Sequence, residues 1–255
     1  MKILIHPDAG AATECAAGLI AARLARDRRT VLGLATGGTM EDLYRRLIRR
    51  HHAGECSFAE ATSFNLDEYV GLSPTHPCSY WHYMRHHLFD HVDLPAGQAH
   101  LPRGNGPDPQ AEADRYENAI AAAGDIGLQL LGLGPNGHIG FNEPGSSLSS
   151  LTRVKTLARA TIEANSRYFD RPEDVPRRAI TMGIGTILRA QEVVLLAVGP
   201  RKAEVAARMI EGPVTAFCPA SVLQFHRNCT VVLDAEAASE LALRSYYEDI
   251  HPSGS

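Results

Sequence analysis

IGLQLLGLGPNGHIGFNEP, residues Ile126–Pro144, carries in one stretch the two signals that decide the fold. Its first half, Ile126–Gly132, is an apolar run too short for a helix and bounded by glycine, which is how a strand buried on both faces reads. Its second half, GLGPNGHIGFNEP (Gly132–Pro144), sets glycines 132, 134, 137 and 140 around His138, with Asn136, Asn142 and Glu143 beside it. Glycine lets backbone approach a ligand closely, and histidine carries a proton in either direction near neutral pH. A histidine alone in a glycine loop is usually only a loop residue. Here Glu143 can orient the imidazole or raise its pKa, and Asn136 can fix a ring tautomer. The stretch reads as an acid–base loop at the carboxyl end of a buried strand.

Outward from that loop the same alternation repeats. Short apolar strands are expected at Lys2–Ile5, Val31–Ala35, Ala61–Leu66, Ala179–Met182, Glu192–Val198 and Thr230–Leu233. Helices are expected at Ala12–Arg26 and Met40–His51, from a Ser79 cap to about Phe89, and from Asp108-Pro109 to about Ala123. Two more are expected from Pro200 and over Glu236–Tyr246. Strands alternating with helices imply an α/β fold of the Rossmann-like, doubly wound kind, a mainly parallel sheet with helices on both faces. The expected organisation is one domain over residues 1–250 and a loose tail over 251–255.

Composition narrows the classes. The chain has 255 residues, 44% hydrophobic and 21% charged, with a net charge of −4. That is long enough for a sizeable core, and the slight acidity gives neither nucleic acid nor a membrane surface a counterpart. The arginine clusters 26–29 and 45–50 read as solvated helix faces. The N-terminus, MKILIHPDAG, has too short an apolar run for a signal peptide or a span. The five cysteines, 15, 56, 78, 218 and 229, are odd in number and never spaced CxxC, so a reduced, cytoplasmic setting is expected. The histidines of Trp81–His91 point different ways and have no second ligand cluster, so no metal site is expected.

Two other strand ends are chemically unusual. Thr36-Gly37-Gly38-Thr39 lies between a strand and a helix, where backbone N–H groups and a helix N-terminus suit a phosphate. It is neither GxxxxGK[ST] nor GxGxxG, and taken alone a plain glycine turn is as good a reading. Phe64-Asn65-Leu66-Asp67-Glu68-Tyr69 ends a strand in two carboxylates that point to opposite sides. One can enter a cleft as a general base, while the other faces solvent or a neighbouring loop. For an isolated aspartate a loop hydrogen bond is the favoured reading.

Together, TGGT, SFNLDEYVGL and GLGPNGHIGFNEPGSSL, followed by NSRYF, GPRKA and LQFH, resemble glucosamine-6-phosphate deaminase in order and spacing, from Val31 to the last helix. 6-Phosphogluconolactonases share the fold and the glycine-rich phosphate loop, but FNLDEYVGL and GHIGFNEP look like the deaminase. The resemblance implies conversion of glucosamine 6-phosphate and water to fructose 6-phosphate and ammonia, with no metal or redox cofactor. It implies His138 as the ring-opening acid–base group, assisted by Glu143 and Asn136, and Asp67 as the base shuttling the C2 proton. It implies Thr36, Gly37, Gly38 and Thr39 as the phosphate cradle, with Arg167 and Lys202 adding charge. Some family members carry Asp at position 136; Asn136 supplies no charge, so His138 is expected to titrate lower here.

In allosteric members, N-acetylglucosamine 6-phosphate binds between subunits of a hexamer, at positions that look like Ser146, Arg153, Lys155 and Thr156 of GSSLSSLTRVKT. The chain after Tyr247 is shorter than in those enzymes. Two other functions fit parts of the pattern. A lactonase would have no need of Asp67 as a carbon base. A non-catalytic sugar-phosphate sensor could lose Asp67, His138 or Glu143, and all three are present.

Overall fold

A computed structural model describes residues 1–252. In chain order the elements are β1 (Lys2–His6), α1 (Ala9–Arg26), β2 (Val31–Leu34), α2 (Gly38–His52), β3 (Thr62–Asn65) and β4 (Asp67–Tyr69). They continue with α3 (Tyr80–His87), β5 (Ala99–His100), α4 (Pro109–Ala122), β6 (Leu128–Gly132), β7 (Arg153–Thr156) and α5 (Arg159–Asn165). The last are β8 (Arg178–Thr181), α6 (Ile184–Leu188), β9 (Glu192–Ala197), α7 (Ala203–Ile210), β10 (Cys229–Asp234) and α8 (Arg244–Ile250). Of the tail expected at 251–255, residues 253–255 lie outside the described residues.

The main sheet has the order β1-β10-β9-β6-β2-β3-β5, and all its pairings are parallel. Both faces are covered, as the apolar strands demand. Met40 of α2 reaches Gly132 on the face shared with Leu128 and Leu130. On the other face the ring of Phe64 meets Tyr116 of α4 edge-on at 5.5 Å. On the Phe64 face Gln129 lies over Gly33, where a Cβ would stand 2.1 Å from its Oε1, so glycine is required there.

Local chemistry sets three helix starts, two of them where expected, while α1 begins at Ala9, three residues before the expected Ala12. Asp8 accepts from Ala11 N to begin α1, Ser79 accepts from His82 N to begin α3, and Asp108 accepts from Gln110 N and Ala111 N at α4. The residues Glu236–Glu240 form turns, and the last helix begins only at Arg244. The reason is tertiary. Glu211 receives Ala242 N and Leu243 N at 2.8 Å each, from 31 and 32 residues away.

A second correction concerns β8. It joins not the main sheet but a separate antiparallel one of order β4-β8-β7. The chain leaves the main sheet at Leu66, whose N–H donates to Leu34 O and whose carbonyl accepts from Met182 N. Asp67 therefore opens a strand of the second sheet. Tyr69, Phe141, Leu157 and Ala179 form a small apolar cluster that pins this sheet to the histidine loop.

Candidate active site

Strand order reverses between β2 and β6: the chain runs outward from β2 through β3 to β5 on one side, and from β6 through β9 to β10 on the other, where β10 meets β1 at the edge. Ligands of open parallel sheets bind in the crevice at that point, beyond the carboxyl ends. The loops leaving these strands are Thr36–Thr39 after β2 and Gly132–Glu143 after β6. Asp67 follows neighbouring β3, and Lys202 follows neighbouring β9. Four adjacent strands thus deliver most of the expected site to one crevice.

At the first loop Gly37 is the N-cap of α2 with φ +113°, a conformation suited to glycine, and no side chain caps the helix. In the first turn of α2 Met40 N donates to Gly37 O at 2.9 Å, and the N–H groups of Gly38 and Thr39 have no intrahelical acceptor. A Cβ built on Gly37 or Gly38 meets nothing within 4 Å, so the space above these donors is open. Tyr83 donates to Gly37 O at 2.9 Å and steadies the turn from α3. Lys202 reaches into the crevice from the other side and donates to Leu133 O at 2.5 Å. Burial lowers its pKa, and the neighbouring Arg201 lowers it further.

The histidine loop is compact for a reason legible atom by atom. The imidazole of His138 lies on the bare Cα of Gly134, where a Cβ would stand 2.2 Å from Cε1 and 2.3 Å from both ring nitrogens. Asn136 Oδ1 accepts from His138 N at 3.2 Å and from His138 Nδ1 at 2.5 Å. The backbone N–H can only donate, so the amide atom facing it is the oxygen. Nδ1 therefore carries the proton, and Nε2 keeps its lone pair. Burial pushes the His138 pKa down to about 4; Glu143 pulls it upward and Lys202 downward.

Of the two roles expected of Glu143, it raises the His138 pKa but does not orient the ring. It makes no hydrogen bond to the imidazole among the described residues. Its carboxylate accepts from Ala158 N at 3.0 and 3.2 Å and from the Thr161 hydroxyl. Asn136 took the ring proton, and the unsatisfied amide at the start of α5 took the glutamate. Glu143 acts on His138 through charge alone.

Asp67 and Glu68 are both buried, and neither faces solvent. Glu68 turns back under α3 and accepts from Tyr69 N, Tyr80 N and Trp81 N at 2.8 to 3.0 Å. Asp67 faces the histidine loop at Gly140 (φ +56°), where a Cβ would lie 3.2 Å from Asp67 Oδ2. Burial first, and the charge of Glu68 second, push the Asp67 pKa up to about 8. Burial pushes Glu68 up to about 7 against its three backbone donors. The site thus holds two titratable groups displaced in opposite senses, the arrangement expected of an acid–base pair.

Residues 8–232 match the sequence profile of the family described as glucosamine-6-phosphate isomerases/6-phosphogluconolactonase. The chain belongs to this family. It is 54% identical over 245 residues to a glucosamine-6-phosphate deaminase of Rhodopirellula baltica, an alignment covering 96% of this chain and 98% of that one. It is 50% identical over 250 residues to the enzyme of that name from Shewanella woodyi, covering 98% and 95%. A solved structure described as a monomeric glucosamine-6-phosphate deaminase superposes with a TM-score of 0.92 at 45% identity, covering 94% of this chain and all of that one. A 6-phosphogluconolactonase from Trypanosoma brucei superposes at 0.73 with 20% identity, which establishes a shared fold only.

The remaining expected residues of this family member are scattered. Arg167 is exposed on the turn after α5, its guanidinium 4.7 Å over the Tyr168 ring, and it does not touch Thr36–Thr39. Ser146 is buried and its hydroxyl has no partner. Arg153, Lys155 and Thr156 lie on β7, at the edge of the second sheet, and Arg153 donates to Leu151 O at 3.3 Å. The described residues hold no cluster of three or more His, Cys, Asp or Glu suited to a metal, and no helix among them is long and apolar enough to cross a membrane. Sequence reasoning missed Tyr83 and Thr161. Their partners are 46 and 18 residues away, beyond any local pattern.

Proposed function

We propose that the chain is a glucosamine-6-phosphate deaminase, releasing ammonia from glucosamine 6-phosphate and leaving fructose 6-phosphate. The carrying observation is that the histidine loop folds back onto Asp67 at Gly140, so an imidazole and a high-pKa carboxylate share one crevice with an open helix N-terminus. The deaminases named above, near half identical over nearly the whole chain, support the same reading.

Each step has a group suited to it. The phosphate accepts from the first turn of α2 and pairs with Lys202, which leaves the phosphorylated end fixed and the C1–C2 end over the loop. Arg167 closes on the phosphate once substrate is bound. His138 Nε2 accepts the C1 hydroxyl proton and returns it to the ring oxygen, opening the pyranose. Asp67 takes the proton from C2 and delivers it to C1, so the amine-bearing carbon becomes an imine. Water adds to that carbon and ammonia leaves. A carboxylate whose pKa lies near the working pH is a stronger base than an exposed aspartate. Lactone hydrolysis would use no base at carbon and gives Asp67 no work.

The test measures ammonia release from glucosamine 6-phosphate and hydrolysis of 6-phosphogluconolactone. Wild type releases ammonia, and Asp67→Asn lowers the rate by about 10²–10⁴-fold, the usual worth of a positioned base. Lactone hydrolysis without ammonia release sinks the reading.

A further inference from the structure

Glu143 is almost fully buried, and α5 holds its carboxylate. Ala158, the N-cap of α5, has no side-chain oxygen, and Glu143 serves that end of the helix from 15 residues away. The Thr161 hydroxyl, in the first turn of α5, completes the grip.

The segment 158–169 is fastened again at its far end. Asn165 Nδ2 donates to the Tyr69 hydroxyl at 2.9 Å, Cys78 Sγ donates to Tyr168 O at 2.9 Å, and Phe169 meets the Tyr69 ring edge-on at 5.8 Å. Tyr69 is two residues from Asp67. One short segment therefore joins the histidine loop to the strand of the proposed base. It also carries Arg167, and Tyr168 lies close enough to Tyr83, the tyrosine on Gly37, to raise its pKa.

The charges acting on His138 are few. Glu143 favours the protonated ring, Lys202 opposes it, and Asn136, which receives Nδ1, is neutral. Glu143 is thus the attractive charge in the balance. Its position relative to the imidazole is fixed by two donors, Ala158 N and the Thr161 hydroxyl. The backbone donor is shared between both carboxylate oxygens, so the hydroxyl is the contact a single substitution can remove.

We propose that Thr161 is a positioning residue: by holding Glu143 on α5 it sets how strongly that carboxylate acts on His138, and it ties the segment bearing Arg167 to the acid–base pair. The proposal rests on the roles given above to His138 and Glu143. Without the hydroxyl, Glu143 keeps a single shared N–H and turns toward the imidazole. The cation-bearing segment loses part of its anchor at the same time. Both effects follow from one contact, which a plain helix cap would not produce.

The experiment compares wild type with Thr161→Val, which keeps the shape and loses the donor, and Thr161→Ser, which keeps the donor. The His138 ring is titrated by NMR, which needs no turnover, and kcat and KM for ammonia release are measured alongside. In Thr161→Val the His138 pKa moves up by about half a unit to one unit, the effect of a carboxylate drawing nearer. KM rises about 3- to 10-fold, more than kcat falls, because phosphate binding loses its tethered cation. Thr161→Ser restores both. Thr161→Ala must move His138 in the same direction and serves if the valine variant does not fold. An unchanged His138 titration overturns the proposal, and so does a lowered Tm with unchanged titration and KM. If wild type releases no ammonia, the deaminase reading falls while the titration still decides what Thr161 does.

Discussion

Gly134→Ala tests whether the bare Cα beneath His138 serves the reaction rather than the fold. The new Cβ would stand 2.2 Å from the ring, and ordinary contact begins at 3.4 Å, so the imidazole must retreat by about 1.2 Å. That retreat stretches the 2.5 Å contact from Nδ1 to Asn136 beyond hydrogen-bond range. Misplacing a reacting group by about 1 Å costs on the order of 10²-fold in rate, or about 2.7 kcal/mol of barrier. The fold loses little. Gly134 does not have the positive φ that strains an alanine, and alanine recovers about 0.4–1 kcal/mol by restricting the unfolded chain. The ring can also swing into the open crevice. The expected outcome is a kcat/KM for ammonia release down about 100-fold with Tm within a few degrees of wild type. A variant within about threefold of wild type would refute the stacked geometry. A loss of activity that merely tracks unfolding would refute the division between site and scaffold.

Four further outcomes follow from the same geometry. Glu68→Gln removes the like charge beside Asp67, so the rise of kcat/KM with pH, which wild type shows toward about 8, moves to lower pH; a profile unmoved would mean burial alone sets the Asp67 pKa. The sign for stability follows by linkage. A carboxyl whose folded pKa exceeds its unfolded value binds more protons when folded, so wild type loses stability as pH climbs from about 4 to about 8, and chemical denaturation across that window should show it. Asn136→Asp places a charge on Nδ1 and raises the His138 pKa from about 4, and an unchanged pH–rate profile would argue against that coupling. N-acetylglucosamine 6-phosphate, if it uses the unpartnered Ser146 hydroxyl with Arg153, Lys155 and Thr156, shifts the substrate saturation curve; an identical curve with and without it removes activation from the reading.

The division between local and remote information is clearest at the helix starts. Ser79 and Asp108 cap helices a few residues away, and the sequence suffices to place them. Three glutamates do the same work from a distance. Glu68 serves α3 from 12 residues away, Glu143 serves α5 from 15, and Glu211 serves the start of α8 from 32. No local rule contains those contacts, which is why the last helix was expected too early and why Glu143 was expected on the histidine. The pairing of β8 escaped for a related reason. An apolar run specifies burial on two faces but not which strand lies beside it.

By itself the sequence determined the alternation of strands and helices, the glycine loop Thr36–Thr39 at one strand end, and the histidine loop Gly132–Pro144 at another. These are consequences of local periodicity, turn chemistry and the conformational freedom of glycine. The tertiary structure decided what those loops face. Only the reversal of strand order between β2 and β6 sets them across one crevice. Only the second sheet turns Asp67 inward against Gly140, where burial and Glu68 raise its pKa. Only the docking of α5 moves Glu143 from the imidazole to Ala158 and Thr161. A carboxylate goes to the nearest unsatisfied donors, and which donors are nearest is set by packing between segments far apart in the chain.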